Sequence, residues 1–181
     1  MMTQICVVLS ILVLACHLVI ARPRRPKYPN AECRITWSIP NDCNTVQEKI
    51  QNQMEVWKET EEEADACPGT SKECPRLPCG QKCRYVFEGI DEVGRLTGYH
   101  LTPKYSYKDK VSFELSKNGT SCDVVGFSKS TLSYAWLDSG TNYCNLRNLL
   151  DGANLSQGNG FTESTTVLLC TQYDQLNCER F

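Results

Sequence analysis

A chain of 181 residues with 19 Lys and Arg against 21 Asp and Glu carries a formal charge of −2, which leaves no basic excess to neutralise phosphates and excludes a nucleic-acid partner. Hydrophobic residues make up 41% of it, enough for one core in a single domain. No internal repeat, heptad run or low-complexity tract is present, which argues against a fibrous scaffold.

The first element is a leader. Ile5 to Ile20 is an apolar run broken only by Ser10 and His17, and Val19 and Ala21 are small enough for the −3 and −1 sites of a signal peptidase. Residues 1–21 therefore read as a signal peptide cleaved after Ala21, with an uncleaved signal anchor as the alternative. Residues 22–32 read as a basic, disordered N-terminus. Its Arg22-Pro-Arg-Arg25 resembles a processing site, although Pro26 directly after it blocks most serine proteases. No second apolar run approaches spanning length, so no membrane span is expected after cleavage.

Beyond Cys6 and Cys16 of the leader lie Cys33, Cys43, Cys67, Cys74, Cys79, Cys83, Cys122, Cys144, Cys170 and Cys178. An even set behind a leader suits five disulfides in an oxidising compartment. Residues 33–181 are thus expected to form a single disulfide-rich, secreted domain.

Cys33, Ile35, Trp37 and Ile39 alternate with Arg34, Thr36 and Ser38, the pattern of a half-buried strand. Pro40-Asn41-Asp42 then turns the chain into a helix with Val46, Ile50, Met54 and Trp57 on one stripe and Cys43 a turn earlier. Thr45 and Glu48 have the spacing of a capping box. The acidic run from Glu59 to Asp65 lacks the spacing of a calcium loop and reads as a solvated face. Cys67 to Cys83 holds four cysteines and three prolines, a disulfide-tied loop rather than a zinc site because paired C-x-x-C hooks are missing.

From Cys83 the pattern is antiparallel sheet, with strands expected at 83–90, 96–102, 110–115, 121–127 and 132–137 and a last one at 165–170. Asn118-Gly119 is a hairpin signal of type I′. Asn145 to Leu150 reads as a short helical turn. Asp138-Ser-Gly-Thr-Asn142 reads either as a turn tied by side-chain hydrogen bonds or as a polar ligand site. Asn118-Gly-Thr and Asn154-Leu-Ser are glycan acceptors, with Asn154 the stronger because a tight hairpin at Asn118 competes with the extended form the transferase needs.

After leader removal one histidine, His100, remains beside fully paired cysteines. That inventory leaves few routes to a nucleophilic triad or a multi-histidine metal site, so His100 is expected to be structural and no catalytic residue, metal or cofactor is assigned. Tyr85, Tyr99 and Trp136 are the candidate ligand-binding residues, drawn from an aromatic-rich sheet.

Asp138-Ser-Gly-Thr-Asn-Tyr-Cys-Asn-Leu146 with Cys170-Thr-Gln-Tyr…Cys178 resembles a group of small secreted, cysteine-rich animal proteins of uncharacterised function. Asp109-Lys-Val-Ser-Phe113, Ser128-Lys-Ser130 and Asp138-x-Gly-x-Asn142 resemble the order Asp-Asp-Val-Glu-Phe, Ser-Ala-Ser-Arg, Asp-x-Gly-x-Asn of a bacterial and plastid family of unknown function. Here the second Asp and the Arg are missing and the last spacing is two residues longer. The resemblance implies a shared sheet topology. Strand, helix, then several strands is also the order of cystatin-like and helix-grip folds, but the cystatin motif Gln-x-Val-x-Gly and the lipocalin Gly-x-Trp are absent.

The expected architecture is α+β, one N-terminal helix packed on an antiparallel sheet of about five to seven strands and stapled by disulfides. The expected function is a secreted, non-enzymatic binding module for an apolar small molecule or an extracellular protein partner. A structural role in an extracellular, including mineralised, matrix is the alternative.

Overall fold

The structure is a computed structural model that describes residues 30–58, 84–102, 107–132, 134–135, 137–176 and 178. In chain order it contains β1 (Glu32–Ile39), α1 (Cys43–Val56), β2 (Tyr85–Ile90), β3 (Leu96–Leu101), β4 (Lys108–Asn118), β5 (Ser121–Ser130), α2 (Thr141–Gly152), β6 (Thr162–Ser164) and a 3-10 turn at Tyr173–Gln175. The strands form one antiparallel sheet in the order β2-β3-β4-β5-β1-β6. The α+β, helix-on-sheet expectation holds in this coarse form, with a correction. A strand opens the fold, and a second full helix joins the first.

β1 is inserted between β5 and β6, and its alternation follows from that place. Cys33, Ile35, Trp37 and Ile39 are buried on the face the helices cover, while Arg34 and Thr36 are exposed on the other. The α1 stripe is buried as its periodicity requires, through Val46, Ile50, Met54 and Trp57. The cap lies earlier than the Thr45–Glu48 spacing indicates. Asp42 caps α1, its Oδ1 accepting from the Thr45 amide at 3.0 Å and its Oδ2 from the Thr45 hydroxyl at 2.5 Å. A short carboxylate directly before the first helical residue satisfies the free amides with less chain to order than a reciprocal box.

The Trp37 ring packs against Gly126 of β5, where a Cβ would overlap it, and its ring centroid is 6.5 Å from that of Phe113 on β4. Glu163 of β6 accepts a 2.8 Å hydrogen bond from Trp37 Nε1 and another of 2.8 Å from the Tyr143 hydroxyl, and it pairs with Arg147 Nη1 at 2.7 Å. This three-residue edge strand is thus held to β1 and α2 by one carboxylate.

Three other expectations are corrected. The described residues of 132–137 form no strand, because β5 already has β4 and β1 as neighbours; among their hydrogen bonds, Ala135 donates to the Leu132 carbonyl and accepts from the Ala31 amide. The segment at 165–170 is a turn in which the Leu169 and Cys170 amides both donate to the Thr166 carbonyl, and only Cys170 bridges to Cys33 in β1. The β4–β5 hairpin closes on an Asn118–Ser121 pair, so its two loop residues are Gly119 and Thr120. Positive φ is needed at Gly119 alone, the pattern of a type II′ rather than a type I′ turn.

Disulfides join Cys33 to Cys170, Cys43 to Cys122 and Cys144 to Cys178. They fix β1 to the C-terminal segment, the start of α1 to the start of β5, and α2 to the tail. The leader, the basic run, and Cys67, Cys74, Cys79 and Cys83 lie outside the described residues. Among the described residues no helix is long and apolar enough to cross a membrane.

Candidate functional site

At one end of the sheet the helix-covered face changes from apolar to polar. Strand register places Tyr85, His100, Asp109 and Ser130 in a single row across β2, β3, β4 and β5, and all four are buried. Side chains facing each other across antiparallel strands are in direct reach of one another. Tyr85 and His100 have ring centroids 4.7 Å apart, and Ser130 hydrogen-bonds to the Asp109 carboxylate. Asp109 stands between Ser130 and His100, so the serine's neighbour across the strands is a carboxylate and not the imidazole.

α2 covers this row with asparagines. Asn142, Asn145 and Asn148 recur every three residues and are all buried. Asn145 Nδ2 donates to Asp109 Oδ2 at 3.0 Å and to Ser128 Oγ at 3.3 Å. Ser128 in turn donates to Asn142 Oδ1 at 2.6 Å, and Asn142 Nδ2 donates to Asp138 Oδ2 at 2.8 Å and to the Ala31 carbonyl at 3.2 Å. The Tyr85 hydroxyl donates to the Asn145 carbonyl at 2.9 Å. The bonds these buried groups make to one another offset most of their desolvation, leaving Asn145 Oδ1 and Asn148 Nδ2 without a partner among the described residues.

The Asp138–Asn142 segment takes the first of the two forms its sequence allowed. It is a tied turn: Asp138 Oδ1 accepts from the Gly140 amide at 3.2 Å, and Oδ2 accepts from the Asn142 amide at 3.0 Å. Gly140 caps α2 with φ 79°, and a Cβ there would overlap Leu176 of the tail. Gly140→Ala is therefore expected to lower stability by roughly 1–3 kcal/mol, from left-handed strain and that overlap. An unchanged urea midpoint would show that this turn is not held as described.

The same turn also forms one wall of a cavity of about 310 Å³. Asp109, Ser130 and Asn142 make its floor, while Leu132, Ala135 and Leu137 supply apolar sides, with Tyr107 and Tyr134 at the edge. Apolar walls over a few convergent polar groups are the usual makeup of a small-molecule site. Two other hollows differ from it. One of about 540 Å³ beside the β4–β5 hairpin is lined by exposed or half-buried residues such as Asp42, Lys117 and Thr120. One of about 310 Å³ lies on the sheet by Glu88, Arg95 and Lys110.

Asp109 is the electrostatic centre of the site. Burial pushes its carboxyl above the usual carboxylate range and the negative charge of Asp138 adds to this, against hydrogen bonds from Asn145 and Ser130 that pull it down. The folded state thus holds this proton more tightly than the unfolded chain does. Asp109 then favours folding most below the ordinary carboxylate value of 3.8, and its contribution falls as pH rises from there through the raised folded value. Asp109→Asn is accordingly expected to unfold later than the parent in urea at pH 7, with the gap closing as pH falls through the raised folded value and gone below about pH 4. A variant less stable than the parent at pH 7 would mean that the ionised form is the one the fold prefers.

Of the expected ligand residues, Tyr85 does not line the cavity and belongs to the buried network through its bond to Asn145. Tyr99 lies on the opposite face of the sheet, since it pairs with Val86 while Tyr85 pairs with His100, and Lys108 Nζ sits 4.3 Å from its ring centroid. The two tyrosines are not walls of one site. Trp136 is outside the described residues, although Ala135 and Leu137 on either side of it line the cavity. Asn118 and Asn154 are both exposed; Asn118 Nδ2 donates to Asp123 at 2.9 Å, whereas Asn154 has left-handed backbone at φ 54°. Asp109, Ser128, Ser130, Asp138 and Asn142, quoted above only for a resemblance, are the residues the fold brings together. Among the described residues no cluster of His, Cys, Asp and Glu has the makeup of a metal site. No family model, curated protein or solved structure matches the chain.

Proposed function

We propose that this protein is a secreted binding module whose cavity at the junction of β4, β5 and α2 takes up a small molecule with an apolar body. The observation that carries this reading is the cavity itself, with apolar sides from Leu132, Ala135 and Leu137 over a floor of buried, mutually hydrogen-bonded polar groups. Such a floor fixes a ligand's orientation, and the apolar sides supply its affinity. Three disulfides across the described residues support export, since such bonds persist in oxidising compartments.

The test is mass spectrometry of organic extracts from natively purified protein, beside a titration with 1-octanol. A stoichiometric small molecule, or saturable octanol binding, is expected for the parent. Leu137→Asp should weaken either without unfolding the domain, because Leu137 is 70% exposed. An empty extract together with no octanol binding up to its solubility would defeat the reading.

A further inference from the structure

Resting on that reading, we propose that the cavity selects an apolar amine, whose cationic head sits on Asp109 and whose hydrocarbon lies along Leu132, Ala135 and Leu137. Among the described residues, two carboxylates, Asp109 and Asp138, line the cavity, and no lysine, arginine or histidine does. An anionic ligand would meet two like charges in a confined space, where the repulsion is strong. An ammonium would meet the reverse.

The two carboxylates are not equivalent. Asp138 has both oxygens engaged in capping α2. Asp109 is 3% exposed and is bonded by the neutral side chains of Asn145 and Ser130. An ionised carboxylate has about four acceptor positions, so two neutral donors leave it room for more. No ion pair to Asp109 forms among the described residues. A buried carboxylate without a cation is costly to a fold, and its retention at the floor of a cavity makes sense if the cation arrives with the ligand. Ligand hydrocarbon laid along the apolar sides covers that pairing and strengthens it, because charge-assisted hydrogen bonds gain most where solvent is absent. Asn145 adds to the picture from below, since its Oδ1 is buried without a partner among the described residues while its amide nitrogen holds Asp109 in place.

The test compares three probes of one chain length by calorimetry at pH 7: octylammonium, 1-octanol and octanoate. Octylammonium should bind the parent at least about tenfold more tightly than octanol, and octanoate most weakly. Asp109→Asn should remove the preference for octylammonium, lowering its affinity by about tenfold or more while leaving octanol within about twofold. Glu114→Gln, which removes an exposed carboxylate on the other face of the sheet, should change neither. The parent alone tests the charge selection, so the result does not depend on any variant folding. Octanol or octanoate binding the parent as tightly as octylammonium would overturn the amine proposal and leave the binding module standing. A preference that survives in Asp109→Asn would overturn the role given to Asp109. Binding of none of the three would remove the binding module and the amine proposal together.

Discussion

Replacing Trp37 by alanine should lower the unfolding free energy by roughly 3–5 kcal/mol, the range for truncating a fully buried large aromatic. Trp37 has no exposed surface, packs against Gly126 and stacks near Phe113. The neighbouring groups cannot close the gap, because Gly126 is backbone in a central strand with β4 and β1 on either side. The indole nitrogen also donates to Glu163, which ties β6 to the sheet. Trp37→Phe separates the two effects: it keeps most of the ring and loses the N–H, and should cost roughly 1–2 kcal/mol. Urea denaturation followed by circular dichroism measures both. If Trp37→Ala leaves the midpoint where it was, the face of β1 that carries Cys33, Ile35 and Ile39 is not core, and the sheet order is wrong.

β1 to β5 and the first helix were legible because each buries one face against a single neighbouring layer, whereas the edge strand β6 was not. Alternation from Cys33 to Ile39 and the spacing of Val46, Ile50, Met54 and Trp57 are direct images of that burial. α2 was legible only as a short turn. Asn142, Asn145 and Asn148 are weak helix formers and interrupt the apolar stripe of Leu146, Leu149 and Leu150. Asn142 and Asn145 are helical because their side chains are consumed by Asp138, Ser128 and Asp109, partners that no local pattern reveals. Tertiary hydrogen bonding overrides propensity there.

The site was the least legible part, for a related reason. Asp109, Ser130 and Asn142 lie on three elements, and only the β4–β5 register, which sets Asp109 opposite Ser130, brings the first two together. Register is a long-range property, and a slip of one residue would turn Asp109 to the other face. The same rule separates Tyr85 from Tyr99, two aromatics that look alike in sequence and face opposite ways in the sheet. Residues 132–137 misled in the opposite sense. Their apolar, aromatic character reads as strand, and with both edges of β5 taken the described Leu132, Ala135 and Leu137 go instead into the side of a cavity.

Removing the Cys33–Cys170 bridge, by converting both cysteines to alanine, should destabilise the protein by about 5 kcal/mol, and removing Cys144–Cys178 by about 4 kcal/mol. The order follows from loop length, since the first pair is separated by 137 residues and the second by 34, and constraint of the unfolded chain grows with the logarithm of the loop. The native state sharpens the contrast. Cys33 and Cys170 are both fully buried, and the segment from Leu169 to Thr171 hydrogen-bonds along β1 through Arg34 and Glu32, so the bridge locks a strand in the middle of the sheet to the end of the chain. Cys178 joins only the tail to α2, so its loss should release the Leu176 contact on Gly140 and loosen the α2 cap before it unfolds the sheet. Urea denaturation of the two double variants should give a lower midpoint for Cys33→Ala/Cys170→Ala. In the Cys144→Ala/Cys178→Ala protein, hydrogen exchange should rise first at the amides of Gly140 and Asn142. Equal midpoints would show that the unfolded chain is constrained by other cysteines. Protection of the α2 cap unchanged in the second variant would show that the tail does not hold the turn from which Asp138 and Asn142 reach the cavity.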